Sequence, residues 1–326
     1  MSRNEKAIAT LIDEFGLEVP LVQGPMGGVA GPELVSAVAN AGALGMLPIW
    51  PETVADAVAL LRTTTSMTQR SFAVNLRADL LQLDHLAAAT DAGVSIVHLF
   101  WGDPGPTMAA VTRNDIKMIA TVADASIAQR ALDAGANALI AQGVEAGGHV
   151  MSDIPLAELL ASVLHVAGEI PVIAAGGCAD AESASGLMDQ GAAGVLMGTR
   201  FVVCEESRAH DAYKQALVEA GDDDTARSLC FDVQWADAPH RTLTNSTYRA
   251  WDAVGQPPMG QRPGEGEIVM HAGGNDLPRY HVMPPTHEAT GDVLGGALYA
   301  GTGAGKIADC PTAEQIVQRM RPVLCS

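Results

Sequence analysis

Paired cysteines, basic side chains, aromatics and long apolar runs are all scarce in this chain. Five cysteines (Cys178, Cys204, Cys230, Cys310 and Cys325) are scattered over 326 residues with no CxxC pair. Neither a disulfide framework nor a zinc ribbon is therefore expected. Only 19 Lys and Arg stand against 38 Asp and Glu, a formal charge of −19. That sign repels nucleic acid and anionic membrane surfaces. No apolar run approaches the ~20 residues of a spanning helix, and the stretch from Met1 to Phe15 lacks the unbroken apolar core of a signal peptide. The expectation is a reduced, cytoplasmic protein with no nucleic-acid or membrane partner; a homo-oligomer is compatible with it. Hydrophobic residues make up 48% of the chain, so wholesale disorder is excluded. With aromatics at 4% and 34 glycines, the core should be Ala, Val and Leu between many tight turns.

Short apolar runs alternate with helical patterns from residue 19 to about 200. The strand candidates are Leu21–Gly24, Ala43–Ile49, Ser71–Leu76, Ser95–Phe100, Ile116–Val122, Ala138–Gln142, Pro171–Ala175 and Ala193–Met197. Between them, sets such as Leu156, Leu159, Leu160, Val163 and Leu164 keep the i, i+3, i+4, i+7 spacing of a helix with one buried face. Strands each followed by a helix imply parallel pairing with helices outside. Eight such units predict an α/β fold, a (β/α)8 TIM barrel, with an open doubly wound sheet as the alternative. The rhythm breaks after residue 205, where Asp222–Asp224 and the Gly/Pro-rich stretch 255–266 lie in a more polar segment. The expected organisation is a barrel of residues 1–205 plus 291–326, with 206–290 a smaller irregular or helical domain inserted after the eighth strand.

Two loops carry a phosphate signature. The run Pro171–Cys178 ends a strand in Gly176-Gly177, and Ala193–Phe201 ends the next in Gly198-Thr199-Arg200. In barrels the loops after strands seven and eight often hold phosphate, because glycines let backbone N–H groups approach it. Thr199 adds a hydroxyl donor, and Arg200 either neutralises charge or pairs with a surface acid. The bland reading is that the glycines merely permit tight turns. After the sixth strand comes Ala141–His149, Ala-Gln-Gly-Val-Glu-Ala-Gly-Gly-His, on what would be the catalytic rim. Gln142 offers a donor and an acceptor for the edge of a heterocycle. His149 can take a proton or hydrogen-bond an anion, although a lone histidine is more often structural.

Together with Gln23–Gly28, Phe72–Asn75 and Leu298–Gly301, these segments resemble the nitronate monooxygenases, once called 2-nitropropane dioxygenases. The likeness departs at Thr302, where the family motif usually continues with glutamine. The resemblance implies FMN as cofactor and a nitronate or nitroalkane plus O2 as substrates, giving a carbonyl compound and nitrite. It also implies flavin-lining roles for Met26, Asn75, Gln142 and Gly147. Phosphate-holding roles follow for Gly177, Leu196, Met197, Gly198 and Thr199, and an active-site role for His149. Its nearest rival is an NAD(P)H-dependent reductase of the same barrel acting on quinones or enoyl thioesters. An IMP-dehydrogenase-like reaction needs a cysteine that residues 143–149 lack, and a non-catalytic phosphate-ligand binder would have no need of His149. Gly301–Lys306 misses the P-loop register, no GxGxxG opens a helix, and the histidines 271, 281 and 287 match no zinc spacing, so no metal is expected. His98 is either at the barrel mouth or a satisfied core histidine.

Overall fold

The computed structural model describes residues 2–111 and 115–325. Eight parallel strands are present: Leu21–Gln23, Met46–Pro48, Ala73–Arg77, Ile96–Phe100, Lys117–Val122, Ala138–Gln142, Val172–Ala175 and Gly194–Met197. Each pairs with its neighbour in chain order, and the eighth returns to the first with Leu21 opposite Val195. The remaining seam closes through Leu44. Its N–H donates to the Leu21 carbonyl and its own carbonyl accepts from Gln23 N–H, both at 2.9 Å. The Gln23 side chain adds an acceptor for Met46 N–H at 3.1 Å. The sheet is thus a TIM barrel and not the open alternative.

Strand residues alternate between two cores, as the period of two requires. Val22, Met46, Ala73, Ile96, Ile119, Ile140 and Ile173 fill the barrel interior, together with Leu11 and Phe15 from the N-terminal helix Arg3–Phe15. Leu21, Val74, Val97, Ala120, Leu139, Val172 and Val195 face outward against the surrounding helices. Full burial of each Val, Leu, Ile or Met side chain among them contributes about 1.5–3 kcal/mol. Interior positions nearer the carboxyl ends become polar: Asn75, His98, Thr121 and Gln142. That change of character, from aliphatic to amide and imidazole, marks the mouth.

After the eighth strand the chain forms the helices Asp211–Val218 and Ser246–Ala253 and two small antiparallel sheets. One sheet joins Thr225–Ser228 and His240–Leu243 to Gly148–His149 from the rim; the other joins Ile268–Ala272, Asn275–Pro278 and Thr290–Gly291. The expectation of an irregular or helical segment is corrected here. Its strands have only two to five residues, too short for periodicity to register, although Ile268–Ala272 and Asn275–Pro278 form a tight hairpin about Gly273-Gly274. The last helix, Ala313–Leu324, begins at a Thr312–Gln315 capping box and buries Ile316, Val317 and Met320 in the outer barrel core. Among the described residues no helix is long and apolar enough to cross a membrane.

Candidate active site

Gln142 ends the sixth strand, and the chain turns to bring Gly148 and His149 into antiparallel register with Arg241 and His240. This pairing seats the His149 ring among aromatics, 4.0 Å from Trp235, 5.4 Å from His240 and 5.6 Å from Tyr299, centroid to centroid. His149 Nδ1 lies 3.3 Å from the Ala238 carbonyl, which also accepts from His240 Nδ1 at 3.0 Å. A carbonyl only accepts, so Nδ1 carries the hydrogen and Nε2 keeps its lone pair. Tyr299 Oη stands 3.5 Å from Nε2 but gives its own hydrogen to the Val282 carbonyl at 2.7 Å. Nε2 is therefore the one basic atom of the ring left available. Burial, reinforced by His240 and Arg77, pushes the His149 pKa down to about 3. The imidazole is neutral at ordinary pH.

Asn75 is held by a polar chain through the barrel interior. Its amide nitrogen faces His98 Nδ1 at 3.0 Å and the Leu76 carbonyl at 3.3 Å, and His98 Nε2 donates to Thr121 Oγ1 at 2.7 Å. His98 is thus a satisfied core histidine, kept neutral by a burial that lowers its pKa to about 3. With its nitrogen so engaged, Asn75 presents Oδ1, a buried oxygen without a partner. Gln142 repeats the pattern: its nitrogen donates to the His149 carbonyl at 3.2 Å, and its buried Oε1 has no partner. A buried orphan acceptor costs about 1–3 kcal/mol. Two of them, on interior-facing ends of the third and sixth strands, fit a planar group that offers N–H donors.

The glycine loops divide their work. A Cβ on Gly147 would meet Gly301 N at 2.5 Å, so this position is bare because the backbone of the 300–302 segment lies against it. Gly177 has φ +66°, and a Cβ there would lie 3.0 Å from Thr302 Oγ1. At Gly198 a Cβ would meet nothing within 4 Å, which leaves open space beside the loop after strand eight. Thr199 Oγ1 accepts from Gly301 N–H at 3.0 Å and keeps its own hydrogen to donate. This cradle suits a phosphate held by neutral donors. Arg200 is not part of it: its buried guanidinium pairs with Asp309. Leu196 packs toward the interior, whereas the fully buried Met197 faces the outer core, so only its backbone lies at the rim. Met26 packs between the barrel and the cluster of Val29, Tyr213 and Leu298.

Sequence reasoning missed Arg77, Trp50, Trp101, Trp235, His240 and Tyr299. Trp235 lies 5.3 Å from Trp50 and 5.1 Å from Trp101, and the Arg77 guanidinium sits 3.7 Å from its ring centroid. Two of the chain's four tryptophans, Trp101 and Trp235, thus lie against His149, and Trp50 joins them through Trp235. Trp50 and Trp101 each follow a barrel strand closely, a signal that could have been read. His271 bonds Asp276 at 2.7 Å on an exposed surface, apart from this cluster.

A closed eight-stranded barrel with a neutral histidine, two orphan amide oxygens and a glycine-lined cradle at one mouth defines a TIM-barrel enzyme of cofactor type. The nitronate monooxygenase family model matches residues 9–92 and 81–322, and the chain belongs to that family of flavin-dependent oxidoreductases. It is 37% identical over 236 residues to the 5-hydroxy-7a-methyl-1-oxo-octahydro-1H-indene-4-carboxyl-CoA dehydrogenase of Mycobacterium tuberculosis, covering 72% of this chain and 65% of that protein. It is 27% identical to the nitronate monooxygenase of Paraburkholderia phytofirmans, covering 95% of this chain and 94% of that one. The nitroalkane oxidase of Streptomyces ansochromogenes superposes with a TM-score of 0.77 at 27% identity, over 97% of this chain and 98% of that one.

Proposed function

We propose that the protein binds FMN and oxidises alkyl nitronates with O2 to a carbonyl compound and nitrite. The observation that carries this reading is the neutral His149, tautomer fixed and Nε2 free, at the mouth of a family barrel. Asn75 Oδ1 and Gln142 Oε1 would accept hydrogen bonds from the flavin ring, while Gly177, Gly198 and Thr199 would hold its phosphate; Met26 and Leu196 would wall it. Bound FMN supplies the electron transfer. The protein's part is to position the substrate, exclude water and manage one proton. With its pKa near 3, His149 is a weak base, and each unit of mismatch with a carbon acid adds about 1.4 kcal/mol to proton transfer. The site therefore suits a nitronate that arrives already ionised, which has no carbon proton to lose; Nε2 is needed as a base only where a neutral nitroalkane must first give one up.

Nitrite release is the test. Purified protein under air should release nitrite from propionate 3-nitronate at a kcat/KM at least tenfold above that for the neutral nitroalkane. Anaerobic NADH should leave the flavin spectrum unchanged. A second reading, oxidation of a CoA thioester, is favoured by the 37% identity to the Mycobacterium dehydrogenase. It takes over if no nitronate yields nitrite while an acyl-CoA bleaches the flavin.

A further inference from the structure

We propose that Arg77 is the anion-binding residue of this site, its guanidinium receiving the planar oxyanion of the substrate beside Trp235. The proposal rests on the nitronate reading for the identity of the substrate, but its binding chemistry is tested separately. Arg77 ends the third barrel strand two residues after Asn75 and so shares its interior-facing side. The guanidinium lies 3.7 Å from the Trp235 ring centroid and 5.4 Å from that of Trp50, and Trp235 in turn lies 4.0 Å from His149. Asp79 grips one edge of the fork, at 3.0 Å to Nε and 2.6 Å to Nη2. Nη1 has no hydrogen-bonded partner among the described residues, so the free edge keeps donors for a second oxyanion.

An anionic substrate needs a counter-charge, and the rest of the cluster supplies none. His149 is neutral and half-buried, His240 is neutral and fully buried, Asn75 and Gln142 are amides, and Trp50, Trp101, Trp235 and Tyr299 carry no charge. Arg77 is the cation whose charge acts on His149, whereas Arg227, which acts on His240, is paired with Asp153. Its side chain is only 12% exposed, so its field is weakly screened. Asp79 pre-orients the fork, and the indole of Trp235 keeps it flat, which matches a planar O–N–O or O–C–O group. Trp235 itself is held by a loop in which Gln234 and Asp237 both have positive φ, 80° and 56°. That backbone is unusual for residues other than glycine and fixes the indole over the histidine.

The experiment uses the flavin-loaded protein and propionate, an unreactive planar oxyanion, followed by tryptophan fluorescence. Wild type should show saturable binding that weakens with ionic strength. Arg77→Gln should raise the propionate Kd and the nitronate KM by roughly 10- to 100-fold, the range of a charge-assisted hydrogen bond, with a smaller change in kcat. Arg77→Lys should keep the salt dependence and recover part of the affinity, and it serves as the readout if the glutamine variant does not fold. Propionate binding that is lost in Arg77→Gln supports the proposal even if no nitronate releases nitrite, in which case only the substrate assignment falls. Equal propionate affinity in wild type and both variants overturns it.

Discussion

Acidification should destabilise this protein steeply between pH 6.5 and 4, because His98, His149 and His240 are folded in neutral form and His281, also lowered by burial, acts in the same direction. Burial lowers the pKa of His98 and His149 to about 3 and that of His240 to about 4. In the unfolded chain each returns to about 6.5. The unfolded state therefore binds more protons throughout this window, so stability is complete above pH 6.5 and falls as the pH drops toward the folded values. At pH 5 each histidine removes about 2 kcal/mol relative to pH 7.5, and the three together remove about 6 kcal/mol. That is comparable to the whole stability of an ordinary domain. The slope near pH 5 should be roughly 4 kcal/mol per pH unit, corresponding to about three protons taken up on unfolding. Carboxylates held low by arginine, such as Asp309, act below this window with the same sign, while the raised Glu52 opposes as a single group. Urea titrations at half-unit pH steps would measure the slope. His98→Gln should lower stability at pH 7.5, since two hydrogen bonds go, yet flatten the slope by about one third. A loss under about 2 kcal/mol between pH 7.5 and 5, or parallel curves for the variant, would refute the neutral-histidine account.

Two further outcomes are expected. Gly177→Val should reduce flavin content on purification, because φ +66° and a contact 3.0 Å from Thr302 leave no room for a β-branched side chain; full retention of flavin counts against the phosphate assignment. His149→Ala should impair neutral nitroalkanes at least tenfold more than pre-formed nitronates, since only the former have a carbon proton to lose. Equal losses in kcat/KM on both substrate forms would leave His149 a positioning residue.

Much of the barrel was legible because its evidence is local. Apolar runs of strand length, each followed by a one-sided helical pattern, carry their own period, and all eight strands appear where that period put them. His149 was legible for the same reason, since a glycine-rich loop directly after a strand lies at the rim. The surroundings of His149 were not. Its tautomer depends on Ala238, its ring packing on Trp235 and Tyr299, and its register on His240, residues 86 to 150 positions away. Arg77 lies only two residues beyond Asn75, yet nothing in its neighbours announces the indole it stacks on. The close approach of Ala300 and Gly301 to Gly147, where a Cβ would meet Gly301 N at 2.5 Å, was equally hidden, since those residues lie far along the chain. The strands and the rim position of His149 could be read locally, because hydrophobic period and turn chemistry act over a few residues. Which side chains surround that histidine, and that it is held neutral, emerged only on folding, because burial and electrostatics are set by atoms from distant parts of the chain.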